Sequence, residues 1–321
     1  MRNSANGTFV GRPILGIASY ARRGPGRRDH FAPAEIELIQ RTVNRTPEVM
    51  VKVLTRGANS LKAVRAHIAY LDRGGELEIE TDEGERLIED DAGRRLTHDW
   101  DLDVDEYRRR GELKARKDRN PPRLIHKILF SMPPGTPPEK VLQAVKNFAR
   151  EEFSLQHRYA MVLHTDEPHP HVHFVVEAVS EKGVRLNIRK ATLRRWRNDF
   201  AAQLRKLGVA ANATERAVRG IIRPSHSDGT YRTLKRGGLR VSQERFNGGP
   251  AQPSADERHE ARQAASDIVR QGWTAVGRIL QAEGRHDLAA RVDTFLAGTA
   301  RPSRTAELDA DLARKIDPLA R

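Results

Sequence analysis

The chain has 321 residues, and 57 Lys and Arg stand against 43 Asp and Glu, a formal net charge of +14 at neutral pH. A surplus of that size points to a polyanionic partner, nucleic acid first, with a solvated basic surface as the plainer alternative. Because cysteine is absent, disulfides and thiolate metal sites are excluded, so any metal must be held by His, Asp or Glu.

Residues 1–47 read as a flexible basic arm, punctuated by Gly and Pro through Ala21–Arg28, with one short helix near Ala34–Arg45. The arm lacks the apolar core of a signal peptide, and no apolar run anywhere approaches the roughly 18 residues of a membrane span. Val49–Leu54 alternates and is β-branched, which predicts a strand. Asn59-Ser60 then opens a helix whose apolar stripe is Leu61, Val64, Ile68 and Leu71, closed by Gly74-Gly75. Residues 76–120 are charge-rich and aperiodic and read as an irregular excursion.

Leu124–Ser131 predicts a second strand. Thr136-Pro137-Pro138-Glu139 then reads as a helix start, with Thr136 capping and proline in the first turn. Val141, Val145 and Phe148 continue that helix on one face. Tyr159–His164 and His171–Val179 are apolar runs joined by an Asp/Pro turn, an antiparallel hairpin. Val184–Ile188 suggests another short strand, and Ala191–Leu207 a helix with Leu193, Trp196, Phe200 and Leu204 on one side. Beyond about Ser225 the composition turns to Gly, Ser and Arg. A helical tail follows, with Ile268, Trp273, Val276 and Ile279 as its apolar positions. The order of elements predicts an α+β fold, one antiparallel sheet carrying helices on one or both faces, plus a helical C-terminal tail.

The segment His164-Thr-Asp166-Glu-Pro-His169-Pro-His171-Val-His173 concentrates the chemistry. Side chains alternate along a strand, so His171 and His173 share a face, and the hairpin returns His164 beside them. Three converging imidazoles form a half-shell for one divalent metal with its other side open, as a catalytic site requires. His169, between two prolines in the turn, reads as a supporting residue or a phosphate contact. Asp166 reads as a carboxylate that orients a ligand histidine or helps take a proton, against plain turn chemistry.

His-x-Asp-x-x-x-Pro-His-x-His resembles the third motif of relaxases, the mobilisation nucleases of the HUH endonuclease superfamily, in their P-type, T-DNA border nuclease-like branch. Tyr70-Leu-Asp-Arg-Gly-Gly75 is similar to that branch's Tyr-Leu-x-Arg-x-Gly. Ser131-Met-Pro-Pro-Gly-Thr136 matches its Ser-x-Pro-x-Gly-Thr turn, and Ala213–Gly220 resembles a further stretch of it. Glu177 stands where the branch often has Asn. The resemblance covers roughly 48–225, which divides the chain into the arm 1–47, a relaxase catalytic domain 48–225, a linker 226–254 and the tail 255–321.

The resemblance implies that Tyr70 is the nucleophile. Helical position alone places Tyr70 off the apolar stripe, as an ordinary surface tyrosine. A phenol with a pKa near 10 is a poor nucleophile at neutral pH, so a metal and cations beside the phosphate would assist it. The implied reaction nicks a transfer origin in single-stranded DNA, leaving a 5′-phosphotyrosyl adduct and a free 3′-hydroxyl. Magnesium or manganese is implied as cofactor, although three imidazoles suit zinc as well. Ser131 is implied near the phosphate, and Arg73, Lys190, Arg194, Arg216 and Arg219 are candidate backbone contacts. So are the clusters Arg108–Arg110, Lys114, Arg116 and Lys117 and, beside Lys190 and Arg194, Arg195 and Arg197.

Accessory relaxosome proteins and a type IV coupling protein are the implied partners. The implied location is the cytoplasm, with export alongside the DNA. Two rival readings are a histidine-triad nucleotide hydrolase, from His169-Pro-His171-Val-His173, and a non-catalytic DNA-binding protein. Tyr70→Phe separates the first from a relaxase.

Overall fold

The computed structural model describes residues 17, 30–54, 59–88, 91–102, 123–220 and 255–299. The cluster spanning Arg108 to Lys117 and the linker 226–254 lie outside them. In chain order the described elements are α1 (Pro33–Val43), β1 (Met50–Leu54), α2 (Leu61–Leu71), β2 (Ile79–Thr81), β3 (Arg86–Leu87), α3 (Ala92–Asp99) and β4 (Ile125–Ser131). They continue with α4 (Pro138–Phe153), β5 (Tyr159–His164), β6 (His171–Glu177), α5 (Lys190–Lys206), α6 (Ala255–Ala282) and α7 (His286–Ala297). Contacts divide the chain into two units, Thr46–Ala213 and Met1–Arg45 with Thr214–Arg321.

The first unit is an α+β fold built on a six-stranded sheet in the order β1-β4-β6-β5-β2-β3, antiparallel at every pairing. Strand alternation sends Ile128, Phe130, Met161, Val172, Phe174 and Val176 to one face. There they pack under α4 and α5, whose Phe148, Phe153, Trp196, Phe200 and Leu204 interdigitate with them. The rings meet at edge-to-face and tilted angles, with Phe130 5.1 Å from Phe148 and 5.2 Å from Phe200. The opposite face offers Ile79, Ile125, Ala160, Val162 and Val175 to Val64, Ile68 and Leu71 of α2 and Leu96 of α3. Helices therefore lie on both faces.

The stretch 76–120 is not wholly irregular: its described part holds β2, β3 and α3. Strands of three and two residues are too short for alternation to show. They are held instead by pairing, β2 to β5 and β3 to β2, and by Arg158, which bridges Asp82 at 2.7 Å and Glu83 at 3.0 Å. Two other expectations are corrected. Thr136 does not cap α4; its hydroxyl donates to the Pro133 carbonyl at 2.9 Å, and Pro137 takes the cap position. Val184–Ile188 forms no strand, only a bridge between Val179 and Arg185.

The second unit is helical. Residues 33–43 form α1, where a short helix was expected within the arm, and its Ile36, Ile39 and Val43 share a core with Trp273, Val276, Leu280, Leu288, Val292 and Phe295 of α6 and α7. Trp273 satisfies its indole N–H on the Val218 carbonyl at 2.7 Å. Of the tail positions expected inside, Trp273 and Val276 are fully buried, whereas Ile268 is exposed and Leu280 takes the inner place that had been given to Ile279. The spacing 273, 276, 280 is the one a straight helix presents to a single core.

Candidate active site

Register sets the histidines. His164 of β5 lies directly opposite His171 of β6, and His173 follows two residues along the same face. Their ring centroids are 4.6 to 5.3 Å apart, and one donor nitrogen from each falls within 4.8 Å of the others. Two backbone carbonyls fix the rings. His164 donates through Nε2 to Leu71 O at 2.8 Å, and His171 through Nδ1 to His169 O at 2.9 Å. Each bond leaves the second nitrogen as a lone-pair donor, as ligand histidines require. Burial pushes the His173 imidazole down to about 3, aided by repulsion from His164, His171 and His67, and it also holds His164 below the usual range. His164 and His173 are thus neutral near pH 7, the ligating form. By donor type, tautomer and convergence, the three residues fit a divalent metal.

Tyr70 stands in the last turn of α2. Ser60 caps the start of this helix, its hydroxyl accepting from Ala63 N at 3.3 Å, while Val64, Ile68 and Leu71 turn inward. Tyr70 therefore faces out, 70% exposed. It precedes the residue whose carbonyl holds His164, so one hydrogen bond ties the tyrosine's helix to a candidate ligand. Past it the backbone reverses through three left-handed residues, Arg73, Gly74 and Gly75, at φ 56°, 69° and 89°. Glycine adopts this region without a Cβ penalty. Asp72, buried, steadies the reversal by accepting from Gly74 N at 3.0 Å.

Arg73 is not poised for DNA alone: it pairs with Asp166 at 2.6 Å, and Asp166 in turn lies 3.8 Å from His164 Nδ1. Asp166 thus links the loop after Tyr70 to a candidate ligand. His169 contributes its carbonyl, while its ring is exposed in the turn, outside the histidine cluster. Ser131 is buried and directly opposite His171 across the β4–β6 pair.

Lys190 and Arg194 are exposed on α5, the helix that covers the face opposite the triad. In the same helix Arg195 is held by Glu152 of α4, and Arg197 reaches the Val51 carbonyl at 3.5 Å. Arg216 and Arg219 fall in the helical unit, since the division by contacts comes at Ala213 and Thr214.

Two residues went unnoticed in the sequence. His67 stacks on Tyr70 at a centroid distance of 6.4 Å, and burial, followed by the nearby Lys127, pushes its imidazole down to about 4. The i, i+3 spacing of His67 and Tyr70 on a predicted helix was the available signal. Lys127 lies on the triad face of β4, buried. Only strand register reveals it.

The relaxase family described as MobA/VirD2-like, nuclease domain, matches residues 83–209. The T-DNA border endonuclease VirD2 of Rhizobium radiobacter is 26% identical over 202 residues, which are 59% of this chain and 47% of that protein. Its counterparts in Agrobacterium fabrum and Rhizobium rhizogenes are 26% and 25% identical over the same share of this chain, 44% and 45% of their own lengths. The chain thus spans about half the length of these curated relatives. A solved structure described as "Molecular Basis of Vancomycin Resistance Transfer in Staphylococcus aureus" aligns with 53% of this chain and 99% of its own, at 14% identity and a TM-score of 0.31, too low to compare the folds. Residues 83–209 are thus similar to the nuclease domain of the MobA/VirD2-like relaxases.

Proposed function

We propose that this protein nicks single-stranded DNA at the transfer origin of a mobile element, with Tyr70 as nucleophile. The observation that carries the reading is the bond from His164 to Leu71 O, which fastens the tyrosine's helix to a cluster of three converging imidazoles. His164, His171 and His173 would hold one divalent ion, magnesium or manganese by family resemblance and zinc by donor preference. Bound there, the ion would neutralise charge on the scissile phosphate.

The phenol oxygen of Tyr70 attacks phosphorus and gives up its proton. The bond from phosphorus to the 3′ oxygen breaks, and that oxygen leaves with a proton as a free hydroxyl. The strand's 5′ phosphate remains esterified to Tyr70, so the bond energy is conserved and the step can run backwards to rejoin the strand. Arg73 holds Asp166, whose carboxylate lies 3.8 Å from His164 Nδ1, on the side of the ring where the ion would bind. Accessory relaxosome proteins and a type IV coupling protein are proposed partners. A cytoplasmic location is proposed with them. Among the described residues no helix is long and apolar enough to cross a membrane.

The test is Tyr70→Phe. The variant should keep its affinity for a single-stranded oligonucleotide carrying the origin while losing the covalent adduct on a denaturing gel. An adduct that persists in Tyr70→Phe would overturn the assignment.

A further inference from the structure

The triad face contains a charge that the mechanism above does not use. Lys127 is directly opposite Val175 of β6 and Leu54 of β1. Partners across an antiparallel pair share a face, so Lys127 shares the face of His171 and His173 and is the diagonal neighbour of His173. At a separation of roughly 7–8 Å a side chain of lysine's length can reach that neighbour's surroundings. Lys127 also sits close enough to His67 to disfavour its protonation, and His67 stacks on Tyr70. The lysine, His67, the tyrosine and the triad therefore form one patch.

The Lys127 side chain is only 8% exposed. Among the described residues nothing gives its ammonium a hydrogen bond or an ion pair. A buried cation without a counter-ion is destabilising, because desolvation is not repaid by attraction. Such a charge persists where a ligand supplies the missing anion.

We propose that Lys127 is a phosphate-binding residue of this site, its ammonium meeting a non-bridging oxygen of the DNA phosphodiester that lies over the histidine triad beside Tyr70. The inference rests on the nicking reading above. It adds a cation fixed in the floor of the sheet, independent of the metal. Most of the Lys127 side chain is withdrawn from water, so the attraction of its ammonium for a phosphate is less screened than a surface lysine's.

The test compares Lys127→Met and Lys127→Arg in the full chain. Three quantities are read: the rate of adduct formation with manganese, the thermal midpoint of metal-free protein, and the salt dependence of oligonucleotide binding in chelator. The binding series is run in a Tyr70→Phe background. Lys127→Met should leave the midpoint unchanged or raise it, because a buried unpaired charge is gone. It should slow adduct formation roughly tenfold to a hundredfold. It should also flatten the slope of log affinity on log salt by about 0.7, the value of one single-strand phosphate contact. Lys127→Arg should keep most of the rate.

Lys127→Met with an adduct rate within about twofold of wild type and an unchanged salt slope would overturn the proposal. So would a lowered midpoint together with equal losses in Met and Arg variants, which marks a packing role. If the wild-type chain forms no adduct at all, the nicking reading fails, and the salt slope then decides Lys127 by itself.

Discussion

Histidine protonation couples the stability of the fold to acid. His67 and His126 are pushed down to about 4, the first by burial and then Lys127, the second by burial and then Arg123. The unfolded chain titrates these residues near 6.5. Between about 6.5 and 4 the unfolded state therefore takes up protons that the folded state refuses, so stability is complete above that window and falls as pH is lowered through it. A thermal midpoint followed from pH 7 to pH 4 should decline, and His126→Gln should decline less steeply. Equal slopes would show that His126 does not carry its share. At the same scale Asp166→Asn should weaken manganese binding about tenfold, the low end for a carboxylate beside a metal site, since Asp166 is substantially exposed. Titration calorimetry reads it, and unchanged affinity would remove Asp166 from the site.

The helix α2 matters because it presents Tyr70. Its start depends on the Ser60 hydroxyl, so Ser60→Ala should destabilise the α+β unit by about 1 kcal/mol. Denaturant titration would read this as a shift of the midpoint with the slope unchanged.

Much of this level was legible in the sequence. The stripe Leu61, Val64, Ile68, Leu71 gave the helix, and period-2 alternation placed His171 and His173 on one face. Other features were not legible, for physical reasons. Strands as short as Ile79–Thr81 carry no period. The Leu71 carbonyl that orients His164 is a backbone atom, common to every residue type. Lys127 stands in a strand whose partners on both sides are distant in sequence, so nothing local tells which face it shares. The role proposed for Tyr70 never came from position at all, but from the resemblance of its Tyr-Leu-x-Arg-x-Gly setting.

At the scale of the whole molecule, two cores stand on different residues. One is the aromatic layer around Phe130, Phe148, Phe174 and Trp196 under α4 and α5; the other is gathered on Trp273 between α1, α6 and α7. Truncating a buried aromatic removes roughly 3–5 kcal/mol. Trp273→Ala also strands the Val218 carbonyl. Differential scanning calorimetry of Trp273→Ala should show the loss in the transition of the helical unit, with adduct formation at permissive temperature retained. Loss of adduct formation in a chain whose α+β transition is intact would assign the helical unit a part in the proposed reaction.

The central claim, that Tyr70 is the nucleophile beside a metal-binding histidine triad, is tested most directly by mass spectrometry of the trapped intermediate. The full chain is incubated with manganese and a single-stranded oligonucleotide carrying the origin, then digested with protease and nuclease. The predicted result is one modified peptide, Ala66–Arg73, with a nucleotide 5′-phosphate on Tyr70 and none when His164 and His173 are replaced. A phosphoryl mark on another residue, or an adduct that survives loss of those histidines, would contradict the account.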